Sequence, residues 1–276
     1  MASMWGYRII DGLWGALPVV LAVLAVRPVS PGELNKFARR YGIVVTPGTH
    51  SAMKWYIRVG RAGRLAGAAI GLSVHPVLYA LGVSVPNQSL FFGVIGYLLG
   101  AFVTALFPRT RRAQPRQVSL AQRRLTDYFP RVGLIALGAA VAVAGLAVAI
   151  YELEPRRALP SFSGSSTGGL VLVTIVAIVT VVAIRSVVAR SQPITSWELV
   201  AIDDAMRAQA VHTVGGAGLA IALFGAASCL LEMGGYALPT WLHVVGGVAG
   251  VAALVGACAA WGLIGAAWRV QRSVAR

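Results

Sequence analysis

Long apolar runs separated by short polar tracts organise this chain. Seven stretches meet or approach the roughly 17–25 mainly apolar residues that a membrane-spanning helix needs. They are Ile10–Val26, Leu65–Val85, Leu90–Phe107, Val132–Tyr151, Gly169–Ala189, Thr213–Met233 and Trp241–Ile264. The pattern predicts an all-α fold, a polytopic transmembrane helical bundle of about seven spans, with residues 1–276 forming a single integral membrane domain. Of the 13 prolines, only Pro18 and Pro76 fall inside a predicted span. The others punctuate connectors, as expected where a helix must close all its own hydrogen bonds.

The polar tracts carry helix-start signals. Ser30-Pro-Gly-Glu33, Ser119-Leu-Ala-Gln122 and Thr195-Ser-Trp-Glu198 each have the capping-box spacing, in which a hydroxyl and a residue three positions later satisfy each other's backbone donors. Pro31 suits the first helical position and Gly42 the position after the end. Leu34, Phe37 and Tyr41 then share a face, with Lys36, Arg39 and Arg40 around it. This predicts a short amphipathic helix on the membrane surface, its apolar side anchored in lipid. A third such helix is expected over roughly Ser196–His212, ahead of the sixth span. The layout reads as one lone span followed by three units of surface helix plus span hairpin, a pattern that shared topology alone produces as readily as internal duplication does.

Charge sets the expected orientation. Of the 24 Lys and Arg residues, only Arg8, Arg156 and Arg157 fall outside the connectors 27–64, 108–131 and 190–212, their flanking residue Arg185, and the C-terminal tail. The positive-inside rule places those connectors and the tail in the cytoplasm, so the N-terminus is expected outside. The n-region carries Arg8 and Asp11, and no small-x-small cleavage site follows the first apolar run before Arg27-Pro28. That run is therefore expected to remain as a span.

Composition agrees. Apolar residues make up 57% of the chain and charged residues 12%, against roughly 45–50% and 25% in soluble domains. So few charges would not solvate the surface of a soluble protein of this length. The net charge of +15 does not point to nucleic acid, because the arginines lie between apolar runs instead of lining one soluble face. It points to anionic lipid of the inner leaflet, with Lys36, Arg39, Arg40, Arg111 and Arg112 as the expected lipid-facing basic residues. A membrane or cytoplasmic protein partner fits the same face.

Candidate chemistry is sparse. His75-Pro76 falls mid-span, where an ionisable side chain lies beside a carbonyl that Pro76 leaves without its usual donor. Its bland reading is a neutral histidine beside a structural kink. Asp11, Glu152, Glu154, Glu232 and His243 fall near the outer ends of spans, as a cation or proton entry cluster or as ordinary interfacial groups. Ser228 and His243 form the minimal pair for an intramembrane hydrolase, but Gly225-Ala-Ala-Ser228-Cys229 lacks the Gly-x-Ser-Gly surround of rhomboid proteases. Cys229 and Cys258 fall near opposite ends of their spans, roughly 20 Å apart along the helix axes, beyond the roughly 7 Å that a disulfide tolerates. Both lysines, Lys36 and Lys54, lie in the first connector, so no last-span lysine exists for a retinal Schiff base. Nucleotide-binding and zinc-protease motifs are missing, and Asp203, Asp204 and His212 are too loosely spaced for a metal site. Neither a cofactor nor a metal is expected. Gly67-x-x-x-Gly71, Gly96-x-x-x-Gly100 and Gly246-x-x-x-Gly250 permit close helix contact, within a bundle or across a dimer interface.

All but two of the basic residues are arginine, the spans are rich in Ala, Gly and Val, and Asp203-Asp204-Ala-Met-Arg-Ala-Gln-Ala-Val-His212 precedes a span. In these features the chain resembles multi-span integral membrane proteins of high-GC Gram-positive (actinobacterial) bacteria. The resemblance implies a multi-pass layout and carries no functional residues over. The expectation is a multi-pass cell-membrane protein without enzyme activity, an accessory or scaffolding subunit. The alternatives are a small, proton-coupled secondary transporter using His75 and, more remotely, an intramembrane hydrolase.

Overall fold

The computed structural model describes residues 17–82, 89–106, 116–117, 125–153, 163–190, 192–193, 197–232 and 239–267. The described chain is helical apart from one two-residue pairing. Helix α1 covers Leu17–Val26, α2 Pro31–Tyr41, α3 Pro47–Ala80, α4 Ser89–Leu106, α5 Arg131–Leu153, α6 Ser163–Val188, α7 Trp197–Glu232 and α8 Thr240–Ala267. Strands β1 (Arg116–Gln117) and β2 (Gln192–Pro193) pair antiparallel, Arg116 opposite Pro193. Each of the seven apolar stretches overlaps a helix, although α3 ends at Ala80 and α6 at Val188, short of the predicted ends. Among the described residues, four helices are long and apolar enough by themselves to cross a membrane, in Arg131–Ile150, Thr167–Val188, Val200–Leu231 and Thr240–Ile264. The pair α1–α2, bent by 73°, brings the number to five if it is one broken span.

Two predicted boundaries differ from the structure. Surface helix and span were expected as separate elements around residues 212 and 213, but α7 runs unbroken through both for 36 residues. Likewise α3 starts at Pro47, deep inside the predicted first connector, and continues for 34 residues. At about 1.5 Å per residue these helices are roughly 54 and 51 Å long, some 20 Å more than the hydrocarbon core. No proline occurs anywhere in α7, and the glycines that follow Thr213 have their missing side-chain volume filled from elsewhere. A Cβ on Gly215 would strike the ring of Phe129, and one on Gly218 would strike Thr180. Those contacts offset the roughly 1 kcal/mol that each glycine costs a helix.

Contacts divide the chain into two compact units, Met1–Val118 with Ser191–Met206, and Ser119–Arg190 with Arg207–Arg276. In the first, α3 and α4 meet backbone to backbone. A Cβ on Gly67 would land on the Gly96 carbonyl oxygen, one on Gly96 on the Gly67 carbonyl, and one on Gly100 on the Gly63 carbonyl. Gly71 faces the Phe92 carbonyl in the same way. The small residues recur every four positions along α3, so one whole face approaches α4 closely enough for Cα–H groups to meet carbonyls. The Gly-x-x-x-Gly repeats on α3 and α4 therefore serve the packing of the bundle.

In the second unit, α6 and α7 interlock in antiparallel register. Gly169 packs against Cys229, Val173 against Gly225 and Thr180 against Gly218, stepping by four and then seven residues in opposite directions. The core joins Leu137, Ala140, Ala144 and Ala147 of α5 to Val173, Leu219, Ala222 and Ala226. The outward faces carry the bulk: Val132, Ile135 and Leu146 on α5, Ile175 and Ile178 on α6, Val248 and Val255 on α8 are all exposed. Small residues inside and branched ones outside is the sorting expected when the surrounding solvent is itself apolar. The most enclosed is α7, with 72% of its apolar window buried against 17% for α8.

A discriminating pair of variants follows. Gly67→Val should destabilise the protein by about 1–3 kcal/mol or more through overpacking. Gly60→Ala, where nothing lies within 4 Å of the added carbon, should be neutral or stabilising by up to about 1 kcal/mol. Thermal unfolding in detergent micelles compares the two, and equal behaviour would rule out the backbone contact.

Candidate functional site

The most elaborated polar structure in the first unit is the joint between α1, α2 and the start of α3. At its base is the Ser30 capping box: Glu33 N–H donates to Ser30 Oγ at 3.3 Å, and Ser30 N–H donates to Glu33 Oε2 at 2.9 Å. Pro31 occupies the first turn, and Gly42 ends the helix at φ 61°, ψ 37°, in the left-handed region that favours glycine. Sixteen positions along, Thr46-Pro47-Gly48-Thr49 repeats the device at the start of α3. Thr46 N–H donates to Thr49 Oγ1 at 2.8 Å and Thr49 N–H to Thr46 Oγ1 at 3.3 Å.

Arg61 ties the joint together. Its Nη1 donates to Glu33 Oε1 at 3.1 Å, and its Nη2 donates to the Arg27 carbonyl just past the end of α1. A helix C-terminus presents carbonyls without amide partners and a partial negative charge, and a guanidinium satisfies both. Glu33 thus serves twice, closing its own helix start and holding the arginine. In the second unit, buried Arg207 does the same for α6: Nη1 donates to the carbonyls of Val188 at 2.9 Å and Arg190 at 2.7 Å.

The apolar face of α2 is not a lipid anchor, contrary to the sequence expectation. Leu34, Phe37 and Tyr41 are buried within the protein. The Phe37 ring lies 4.9 Å from that of Tyr41 and 5.6 Å from that of Tyr56 on α3. Burial first, and Tyr56 second, push the Tyr41 phenol well above the usual tyrosine range, with Arg40 pulling the other way. Tyr56 Oη in turn donates to the Met206 carbonyl at 3.4 Å, joining the start of α3 to the start of α7.

Of the residues singled out from sequence, Lys36 and Arg39 are exposed on α2 and Arg40 is half-buried. Arg111 and Arg112 lie outside the described residues, as do Asp11, Glu154, Ser119, Gln122 and Thr195. His75 lies within α3 immediately before Pro76, and Glu152 and Glu232 fall at the ends of α5 and α7, their side chains outside what is described. His243 is half-buried in the first turn of α8. Ser228 Oγ donates to the Phe224 carbonyl of its own helix at 3.1 Å. Cys229 is buried, Cys258 is exposed and the two are not joined by a disulfide. Asp203 and Asp204 are half-buried and His212 is buried. Among the described residues there is no group of three or more His, Cys, Asp or Glu that would hold a metal ion.

Sequence reasoning missed Arg61 and Arg207 as capping groups, since it counted them only as topology signals. It also missed the Thr46 start, whose Thr-Pro-Gly-Thr string was legible beside Ser-Pro-Gly-Glu. Compared with family models, curated proteins and solved structures, the chain matches none.

Two measurements test this geometry. Arg207→Met, which keeps the stem and removes the guanidinium, should lower the unfolding free energy by about 2–3 kcal/mol. Arg207→Lys should recover only part, because an ammonium lacks the planar fork. For Tyr41, folding raises the pKa, so its contribution is complete below the unfolded-state value of about 10 and is lost as pH rises above it. Tyr41→Phe should flatten the alkaline fall in melting temperature above pH ~10; equal slopes would contradict the burial of the phenol.

Proposed function

We propose that this chain is a multi-pass cell-membrane protein of seven spans, N-terminus outside and C-terminus in the cytoplasm, acting as a non-enzymatic accessory or scaffolding subunit. The supporting observation is that the Lys/Arg-rich connectors converge within the first unit. Tyr56 of connector 27–64 reaches Met206 of connector 190–212, and Arg116–Gln117 of connector 108–131 pairs with Gln192–Pro193 of connector 190–212. Segments separated by even numbers of spans must share a membrane face, and these do meet. Together they form a platform with exposed basic residues, suited to anionic lipid and to a docked partner protein.

Topology is tested with single cysteines in a background lacking Cys229 and Cys258. Thr240→Cys, exposed at the start of α8, should react with an impermeant thiol reagent in intact cells. Ser51→Cys, exposed near the start of α3, should react only after permeabilisation; the reverse pattern would invert the topology. The scaffolding role predicts a stoichiometric partner on mild purification from native membranes, and liposomes that show no pH-driven proton uptake. Proton uptake by the wild type that His75→Gln abolishes would replace the scaffold with a proton-coupled carrier.

A further inference from the structure

Among the described residues, one face of α3 stays exposed. Gly63, Gly67 and Gly71 turn toward α4, whereas Lys54, Trp55 and Arg58 are exposed, Trp55 to 46%. Further along the same helix, Ala69, Ile70, Ser73, Val74, Val77 and Leu78 line an open apolar groove of about 430 Å³. The Ser73 hydroxyl is turned onto the Ala69 carbonyl at 2.8 Å, so it leaves the groove apolar. Trp55, Arg58, Ala62, Ala66, Ala69 and Ser73 step by three or four residues, which places the basic end and the groove on one continuous stripe.

We propose that this face binds one anionic phospholipid of the inner leaflet. Arg58 and Lys54 take the phosphate, Trp55 packs beside the headgroup between them and an acyl chain runs into the groove. The charges argue for an anionic headgroup, since the two side chains present donors and no carboxylate accompanies them on the stripe. Exposed Trp beside Lys and Arg is the composition of a membrane interface. Length argues for a lipid over a soluble anion. The groove begins eleven positions past Arg58, about 16 Å along the axis, and one leaflet with its headgroups is about 20 Å thick. The other basic residues of this stretch are half-buried and engaged, Arg61 by Glu33 and the Arg27 carbonyl and Arg64 Nε by the Gly60 carbonyl at 3.0 Å, so selectivity falls on the exposed pair.

The assignment to the inner leaflet rests on the orientation proposed above, and cysteine labelling tests that orientation separately. The lipid site itself is tested on the full-length protein in neutral detergent, by native mass spectrometry during titration with phosphatidylglycerol or phosphatidylcholine. The first phosphatidylglycerol should bind about tenfold more tightly than phosphatidylcholine. Lys54→Gln with Arg58→Gln should erase that preference. Lys36→Gln with Arg39→Gln, an equal charge change on α2, should leave it within about threefold. Ala69→Phe, which fills the groove, should weaken both lipids, and Ala69→Leu should do so less, with melting temperature confirming that each variant folds. Equal loss of preference in the two charge variants would overturn the proposal in favour of diffuse attraction. Unchanged binding of both lipids in the folded Ala69 variants would overturn it by removing the groove.

Discussion

Close approach of helix backbones is the constraint on which this structure depends. Apolar side chains gain nothing by leaving lipid for a protein interior of equal polarity, so helices associate through contact and geometry. Glycine on both sides of the α3–α4 contact brings carbonyl oxygens where a Cβ would otherwise sit. The same logic selects Ala140, Ala144 and Ala147 for the inner face of α5 and leaves Ile135 and Leu146 outside. At the α3–α4 contact and along the inner face of α5, size, and not hydrophobicity, decides which side turns inward.

Helix ends impose the second requirement. A helix emerging from hydrocarbon exposes its last carbonyls, and the protein answers with arginine. Arg61 reaches the end of α1 and Arg207 the end of α6, each from the long helix that follows the connector. The positive-inside rule counts such residues as bulk charge. Here two of them are committed to particular carbonyls, which makes the connectors rigid joints as well as charged tracts. The extra length of α3 and α7 supplies the reach, because both capping arginines sit on helix that precedes the predicted apolar run.

This division of labour bears on the proposed role. Arginines spent on helix ends do not face lipid, so the free charge of the described first connector resides in residues such as Lys36, Arg39, Lys54 and Arg58. The aromatic contact of Phe37 with Tyr56 holds α2 against α3. A connector built in this way presents its charges from a fixed frame, as a docking platform requires.

The sequence by itself determined the helical class, the places where apolar helices occur, the Ser30–Gly42 helix and the lack of a disulfide between the two cysteines. These follow from local physics: run length, proline exclusion, capping spacing and axial rise. Only the tertiary structure decided that α3 and α7 each continue through a predicted boundary; on α7 the glycines just past it are filled by Phe129 and Thr180 from distant positions in the chain. It also decided that Leu34, Phe37 and Tyr41 face protein instead of lipid, since an amphipathic pattern states that one face is covered and not by what. The same holds for Gly67 and Gly96, whose spacing permits a close neighbour, and for Arg61 and Arg207, whose charge is local but whose carbonyl partners lie 34 and 17–19 residues away. Pairing of that kind is settled by the fold, because no window of the chain contains both partners in contact.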